Sequence, residues 1–109
     1  MSPATPITTA TEFDSTLDRD KIVIAKFETR QCVICRRLEP GLKIISDSYG
    51  DKVNIVQIDS DELMPLAERY AIRGVPSLLL FKNGKEVGRL NGFHTTSALS
   101  EWVAPHLDM

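Results

Sequence analysis

The stretch IVIAKFETRQCVIC, residues 22–35, decides the fold that we expect for this chain. Its first six residues are rich in β-branched side chains and apolar on both faces until Lys26, which is typical of a central strand covered on each side. Apolar residues then recur at spacings of three and four, as on the inward face of a helix. They are Cys35, Leu38, Leu42, Ile45 and Tyr49. We therefore expect a buried strand, a cysteine pair and a helix in that order.

One helix is predicted from about Val33 to Tyr49, so that it begins between the two cysteines and ends at Gly50. Pro40 lies inside this pattern, where a proline removes one backbone hydrogen bond and clashes with the preceding turn. We therefore predict a kink in a single helix rather than two separate helices.

The other elements before residue 70 are predicted from caps and apolar patterns. Thr9 and Glu12 form a capping box that opens a short helix. A second buried strand is predicted at Val53 to Ile58, and Asp59 then caps another short helix. Pro65 is expected to disturb the first turn of that helix.

The C-terminal part is predicted to form a hairpin and a helix. Ser77 to Lys82 and Lys85 to Leu90 flank Asn83-Gly84, a pair that tolerates the positive backbone angles of a two-residue turn. Thr95 or Thr96 caps the last helix. Strand–helix–strand units require parallel pairing, whereas the hairpin adds antiparallel pairs. The sequence therefore predicts an α/β fold with a mixed central sheet and helices on both faces.

Length and charge favour one globular domain over residues 1–109, with residues 1–6 loose. The chain has 13 basic and 15 acidic residues, a formal net charge of -2 and a pI near 5.6. This balance provides no broad basic field, so we expect no nucleic-acid partner and no membrane binding.

The N-terminal sequence and the cysteine content point to the cytoplasm. Residues 1–10 contain no Lys or Arg and no apolar run, so they do not resemble a secretory signal. The longest apolar runs are strand-sized, which is too short for a membrane span. In a reducing compartment, a close cysteine pair more often performs redox or metal chemistry than it staples a fold.

Cys32 and Cys35 form the candidate reactive site. Unpaired N–H groups and the positive end of the helix dipole at a helix start stabilise a thiolate, which makes Cys32 the candidate nucleophile. Cys35 begins the apolar face one turn deeper, so we expect it to be shielded and protonated until it attacks. A purely structural disulfide is the alternative, but closing a four-residue loop contributes only roughly 2 kcal/mol.

The order of motifs resembles the thioredoxin family from about Ile7 to Leu107. The matched motifs are Cys32-Val33-Ile34-Cys35, Pro40, Arg73-Gly74-Val75-Pro76-Ser77, Phe81-Lys82-Asn83-Gly84 and Gly92. The resemblance implies a thioredoxin fold, thiol-disulfide exchange, and a cis Val75–Pro76 bond facing the cysteines across a groove. It also implies that the backbone at Arg73, Gly74, Val75 and Pro76, with Gly92 nearby, holds a client protein as an extended strand.

Three departures from the family pattern concern the redox centre. Thioredoxins typically read W-C-G-P-C, whereas this chain reads Gln31-Cys32-Val33-Ile34-Cys35. The family usually places a buried acid six residues before the first cysteine, and Lys26 stands there. A family lysine near that acid is replaced by Gln57.

Lys26 is therefore a candidate modulator of the two sulfurs. An ammonium near them would favour thiolates, stabilise the reduced form and make the protein more oxidising than an ordinary thioredoxin. If burial kept the amine neutral, it would instead serve as a base for Cys35. In a third alternative, Lys26 reaches solvent or pairs with Glu28 or Glu39.

The side chains around the cysteines suggest contact with a protein partner. Val33 and Ile34 are adjacent β-branched residues at a helix start, where exposed residues are usually polar. Arg30, Arg36 and Arg37 could stabilise thiolates or attract acidic partners, although a solvated rim is favoured because salt screens exposed charges.

The expected redox centre is the Cys32–Cys35 disulfide itself, with no bound cofactor and no metal. Expected partners are client proteins with disulfides and a flavin-dependent thioredoxin reductase, and the chain is expected to be a monomer. One alternative is a non-enzymatic adaptor or holdase that uses Val33 and Ile34 as its contact. Another is a dimer that shares Zn²⁺ or an iron-sulfur cluster, because one CxxC supplies half of a Cys₄ site.

Overall fold

The computed structural model describes residues 4–107 and contains a five-stranded mixed sheet flanked by helices. The elements are β1 (Thr5–Pro6), α1 (Ala10–Arg19), β2 (Ile22–Glu28), α2 (Val33–Arg37), α3 (Glu39–Tyr49), β3 (Asn54–Asp59), α4 (Met64–Arg69), β4 (Ser77–Lys82), β5 (Lys85–Asn91) and α5 (Thr96–Val103). Short 3₁₀ turns follow α3 and α5. The α/β class and the mixed sheet are as predicted.

The sheet order β1-β3-β2-β4-β5 places β2 at the centre. β2 runs parallel to β3 and antiparallel to β4, with Phe27 opposite Ser77. Ser77 is also opposite Asn91 of β5. The segments that follow β2, β3 and β5 and the loop that precedes β4 therefore emerge together, at what we call the site end of the sheet.

The two faces of the sheet carry separate apolar clusters, because successive side chains of a strand point to opposite faces. Ile22 and Ile24 pack with Leu42 of α3 and with residues of α5. Val23 and Ala25 pack on the other face, in the cluster that contains residues of α1 and α4. Lys26, two residues after Ile24, thus belongs to the face covered by α3 and α5.

The helix after the cysteines differs from its prediction, because it is divided into α2 and α3 at Leu38. Pro40 has no N–H to donate to the carbonyl of Arg36, four residues earlier. Leu38 instead donates its N–H to the Cys35 carbonyl at 3.3 Å, which tightens the chain at this point. The cysteine pair therefore belongs to a helix of only five residues.

The N-terminal segment also differs from its prediction. Residues 1–6 were expected to be loose, yet β1 pairs in parallel with β3, with Thr5 opposite Val56. Ala4 is only 6% exposed and packs into the α3 face of the core. Residues 1–3 lie outside the described residues. A two-residue strand is too short to show an alternating pattern in the sequence. Only its pairing with β3 in the folded chain reveals β1.

Local signals for caps and turns are mostly confirmed. The Thr9 hydroxyl accepts the Glu12 N–H at 3.0 Å, and the hairpin turn has positive φ at Asn83 and Gly84. Thr95 caps α5. Asp59 differs from its prediction, since its carboxylate accepts N–H groups of residues 61 and 62 and so caps a turn ahead of α4.

Pro65 does not disturb α4, because it occupies the first turn of the helix. The N–H groups of a first turn have no partner within the helix, so a proline there costs no hydrogen bond.

Candidate active site

Cys32 lies at the start of α2, where it is the N-cap residue. Its Sγ accepts the backbone N–H of Cys35 at 3.0 Å, and its own N–H donates to the Thr29 carbonyl at 3.4 Å. Cys32 and Cys35 are joined by a disulfide, with their Cα atoms 5.2 Å apart. The N–H group directed at the Cys32 sulfur would favour negative charge on that sulfur after reduction.

The two sulfurs differ in their access to solvent. Cys32 is half-buried, whereas Cys35 is only 1% exposed and is the buried residue of α2. A disulfide in another protein can therefore approach Cys32 but not Cys35. The sequence predicted this asymmetry from the apolar stripe that Cys35 begins.

The loop before β4 forms the second part of the site. The Val75–Pro76 peptide bond is cis, as the resemblance implied. The Gly92 N–H donates to the Pro76 carbonyl at 2.9 Å, which holds the end of β5 against this loop. Ser77 Oγ lies 2.7 Å from the Gly74 carbonyl oxygen, which fixes the loop from its other side.

All five predicted groove residues line one cavity of about 510 Å³: Arg73, Gly74, Val75, Pro76 and Gly92. Ala71, Arg89 and Asn91 also line this cavity. The cysteines do not line this cavity. They reach the same end of the molecule because β2 and β4 are antiparallel neighbours. The structure thus places the groove and the cysteine pair side by side at the site end of the sheet.

Lys26 is 1% exposed, which is unusual for a lysine, and it does not reach solvent. Its Nζ lies 2.9 Å from Glu28 Oε1 and 3.9 Å from Glu39 Oε2. Of the three alternatives for Lys26, pairing with these carboxylates is the one that the structure contains. Glu39 is the first residue of α3, four residues after Cys35.

The exposed apolar residues of the site include one that sequence reasoning missed. Val33 is 56% exposed and Ile34 is 47% exposed, and neither lines the groove cavity. Phe93, which directly follows the groove residue Gly92, is 51% exposed. The position of Phe93 next to Gly92 was the only signal in the sequence that could have found it. The residues around Phe93 show no apolar spacing that would distinguish an exposed aromatic side chain from a buried one.

The arginines near the cysteines fall into two groups. Arg30 pairs with Glu62 at 2.8 Å and approaches Asp59 at 4.0 Å. Arg36, Arg37 and Arg73 are exposed, and within residues 4–107 none of these three forms an ion pair.

Among residues 4–107, no group of three or more His, Cys, Asp or Glu side chains is arranged to hold a metal ion. No helix within the same residues has both the length and the apolar character needed to cross a bilayer.

The cysteine pair at a helix start and the cis-proline loop lie at the same end of the sheet. The family model described as Thioredoxin matches residues 4–105 of this chain. The chain belongs to the thioredoxin family. Thioredoxins are thiol-disulfide oxidoreductases that act on client proteins containing disulfides, and this chain is therefore an enzyme of that class.

Individual thioredoxins agree with this assignment over nearly their whole length. Thioredoxin 1 of Nostoc sp. is 33% identical over 107 residues, which are 98% of this chain and 100% of the relative. Thioredoxin-1 of Saccharomyces cerevisiae is 38% identical over 81% of this chain and 84% of its own. The structure of a mutant thioredoxin from Halobacterium salinarum is 30% identical and has a TM-score of 0.87, covering 100% of this chain and 96% of the other. The fold is the thioredoxin fold.

Proposed function

We propose that Cys32 is the attacking cysteine of this thioredoxin and that Cys35 is the resolving cysteine. The observation that carries the proposal is the difference in access: Cys32 is half-buried at the start of α2, whereas Cys35 is 1% exposed. Only a sulfur that a second protein can reach is able to form a mixed disulfide with it.

The proposed reaction transfers two electrons from the reduced cysteine pair to the client. The Cys32 thiolate attacks one sulfur of the client disulfide, and the other client sulfur leaves as a thiolate that solvent protonates. Cys35 then loses its proton and attacks Cys32 Sγ. This step forms the Cys32–Cys35 bond and breaks the mixed disulfide, which releases the reduced client.

The client segment is proposed to lie along the groove at Arg73, Gly74, Val75, Pro76 and Gly92. An extended chain there would use backbone hydrogen bonds, in the manner of a strand added to a sheet edge. The volume of about 510 Å³ leaves room for one or two client side chains.

The exposed Val33 and Ile34 are proposed to provide the apolar contact next to the reacting sulfurs. Burying their exposed surface against a client would stabilise the encounter without fixing its sequence.

Lys26 is proposed to make this thioredoxin more oxidising than family members with an acid at that position. The buried ammonium pairs with Glu39, four residues after Cys35, and is proposed to stabilise thiolates and hence the reduced form. Glu28 at 2.9 Å and Glu39 at 3.9 Å offset part of this effect, because they bring negative charge to the same place.

The remaining parts of the proposal concern the cellular setting. We propose that the protein acts in the cytoplasm as a monomer, with no bound cofactor beyond its own cysteine pair. Electrons would come from a thioredoxin reductase. Gln31, Val33 and Ile34 replace the family's tryptophan and Gly-Pro at the surface where such an enzyme would dock, so reduction by a reductase needs its own assay.

The experiment that tests the proposal is trapping of mixed disulfides. Cys35→Ser should accumulate covalent adducts with disulfide-containing proteins through Cys32, because the second attack is missing. Cys32→Ser is the matched control, and it should accumulate few, since its remaining cysteine is buried. Equal trapping by both variants, or trapping by neither together with no reduction of insulin by the native protein, would contradict the assigned roles.

A further inference from the structure

Three arginines at the site end of the sheet have no carboxylate partner among the described residues, unlike the other arginines of the chain. Arg19, Arg30, Arg69 and Arg89 each have a carboxylate within 4.0 Å. Within the described residues, the arginines without such a carboxylate are Arg36, Arg37 and Arg73. We call these three the unpaired arginines.

The unpaired arginines lie on the two parts of the site, the cysteine helix and the groove loop. Arg36 and Arg37 follow Cys35 directly on α2, and both are exposed. Arg73 lines the groove cavity in the loop before β4. The chain as a whole has a net charge of -2, so these unpaired positive charges do not reflect a basic protein.

Apolar side chains lie at the same end of the molecule. Val33 and Ile34 precede the two arginines on α2, and Phe93 follows the groove residue Gly92. Each of the three is at least 47% exposed. A partner that covers them would bring its own charges close to the unpaired arginines.

The opposite flank, where β3 ends, is acidic. Asp59, Asp61 and Glu62 line a cavity of about 450 Å³ together with Arg30. Arg30 pairs with Glu62 and approaches Asp59, which offsets part of their negative charge. The site end of the sheet therefore carries carboxylates after β3 and unpaired guanidinium groups on α2.

We propose that this thioredoxin selects client segments in which acidic side chains adjoin the reactive disulfide on the side that faces α2. The inference rests on the proposed function and names its substrate class. Guanidinium groups bind carboxylates through two parallel hydrogen bonds, and complementary charge speeds the encounter of two proteins. The acidic flank beyond β3 repels the same client in the reversed orientation.

The test uses three peptides that each contain one disulfide and differ only in the residues beside it: Asp, Asn or Lys. The rate constant for reduction by the reduced protein is measured in single turnover and divided by the rate constant with dithiothreitol, which corrects for the intrinsic reactivity of each peptide. We expect the Asp peptide to exceed the Asn peptide by about fivefold at low salt, since three exposed ion pairs contribute little each. The advantage should largely disappear at about 1 M salt, where the screening length is about 3 Å.

Two triple variants decide where the preference arises. R36Q/R37Q/R73Q should abolish the preference for the Asp peptide over the Asn peptide. R19Q/K43Q/K52Q removes the same total charge from exposed sites that belong to neither the cysteines nor the groove, and it should keep the preference.

Three results would contradict the inference in distinguishable ways. Equal reduction of the Asp and Asn peptides by the native protein would show that clients are not selected by acidic residues. Equal loss of preference in both triple variants would assign it to total charge rather than to the unpaired arginines. If the native protein reduced none of the peptides, the proposed function itself would fail.

Discussion

Lys26 brings a charge into the central strand of the sheet, where its neighbours are apolar. Its Cα partner on β4 is Leu78, and the side chain is 1% exposed. A buried charge is costly unless it is paired, and breaking a buried pair is more costly than never forming it. The contact with Glu28 at 2.9 Å is therefore what makes a lysine acceptable at this position.

Replacing Lys26 with Met should make this thioredoxin more reducing. The ammonium would be lost while Glu28 and Glu39 stay, so the thiolates of the reduced form would be less stable. We expect the redox potential to fall by about 30 mV for each tenfold change in equilibrium constant. Equilibration with glutathione buffers measures it, and an unchanged or higher potential would refute the role of Lys26.

Glu28→Gln provides the opposite test, because it leaves the ammonium less offset and should raise the potential. Both variants weaken a buried ion pair and should lower the melting temperature. A merely structural role for Lys26 would lower the melting temperature in both variants. It would not shift the redox potential in opposite directions in the two. Asp47→Asn, which removes the carboxylate paired to Lys43 on the exposed face of α3, is the matched control and should not shift the potential.

At the scale of elements, hydrogen bonds at helix ends decide where α1 and α2 begin. Thr9 and Cys32 are both N-cap residues whose side chains accept an N–H three residues later. The same local geometry thus starts one helix with a hydroxyl and the other with the reactive sulfur. At α1 the companion residue Glu12 accepts chiefly from the N–H and hydroxyl of Thr8, one residue before the N-cap.

Glu12 should make the stability of this thioredoxin depend on acid pH. Its hydrogen bonds from Thr8 lower the pKa of the Glu12 carboxyl below its usual value. A lowered pKa in the folded state stabilises the fold above the unfolded-state pKa and ceases to do so as the pH falls through the folded-state pKa. Glu12→Gln should therefore lower the melting temperature at pH 7.

The difference in melting temperature between native protein and Glu12→Gln should shrink as the pH falls below about 4.3, the ordinary value for a glutamate. The control is Glu101→Gln on α5, an exposed residue whose side chain forms no hydrogen bond within residues 4–107. A difference at Glu12 that stays constant with pH, or matches that at Glu101, would count against the cap.

At the scale of the whole molecule, the fold depends on how closely α5 packs against the sheet. Gly88 on β5 faces Trp102 of α5, and a Cβ atom at position 88 would lie 2.8 Å from Trp102 Nε1. The indole is rigid and packed against the core cluster, so the contact leaves no room for a methyl group.

Gly88→Ala should lower the free energy of unfolding by about 1–3 kcal/mol, the usual cost of overpacking a well-filled site. Urea denaturation measures this value. Trp102→Leu should remove most of the effect of the alanine, so the double variant should be more stable than the sum of the two single changes indicates. Strict additivity of the two changes would show that the indole is not the obstacle.

Much of the candidate site was readable from local patterns. The strand IVIAKF, the cysteine pair five residues beyond it and the apolar stripe that starts at Cys35 established which sulfur is outer and which is buried. The hairpin followed from Asn83-Gly84. These features depend on residues close together in the chain, so their spacing carries the information.

Contacts between distant residues were decided only by the tertiary structure. No spacing along the chain reveals that Lys26 meets Glu39, that Ala4 and β1 join the edge of β3, or that Phe93 remains exposed. The register between strands and the angle of α3 set these contacts, and both arise from packing the whole core at once. The sequence by itself determined the reactive pair and the elements with clear local patterns, because neighbouring residues carry those signals. The folded chain determined β1, the division of α2 from α3, and which charges and surfaces surround the reactive pair.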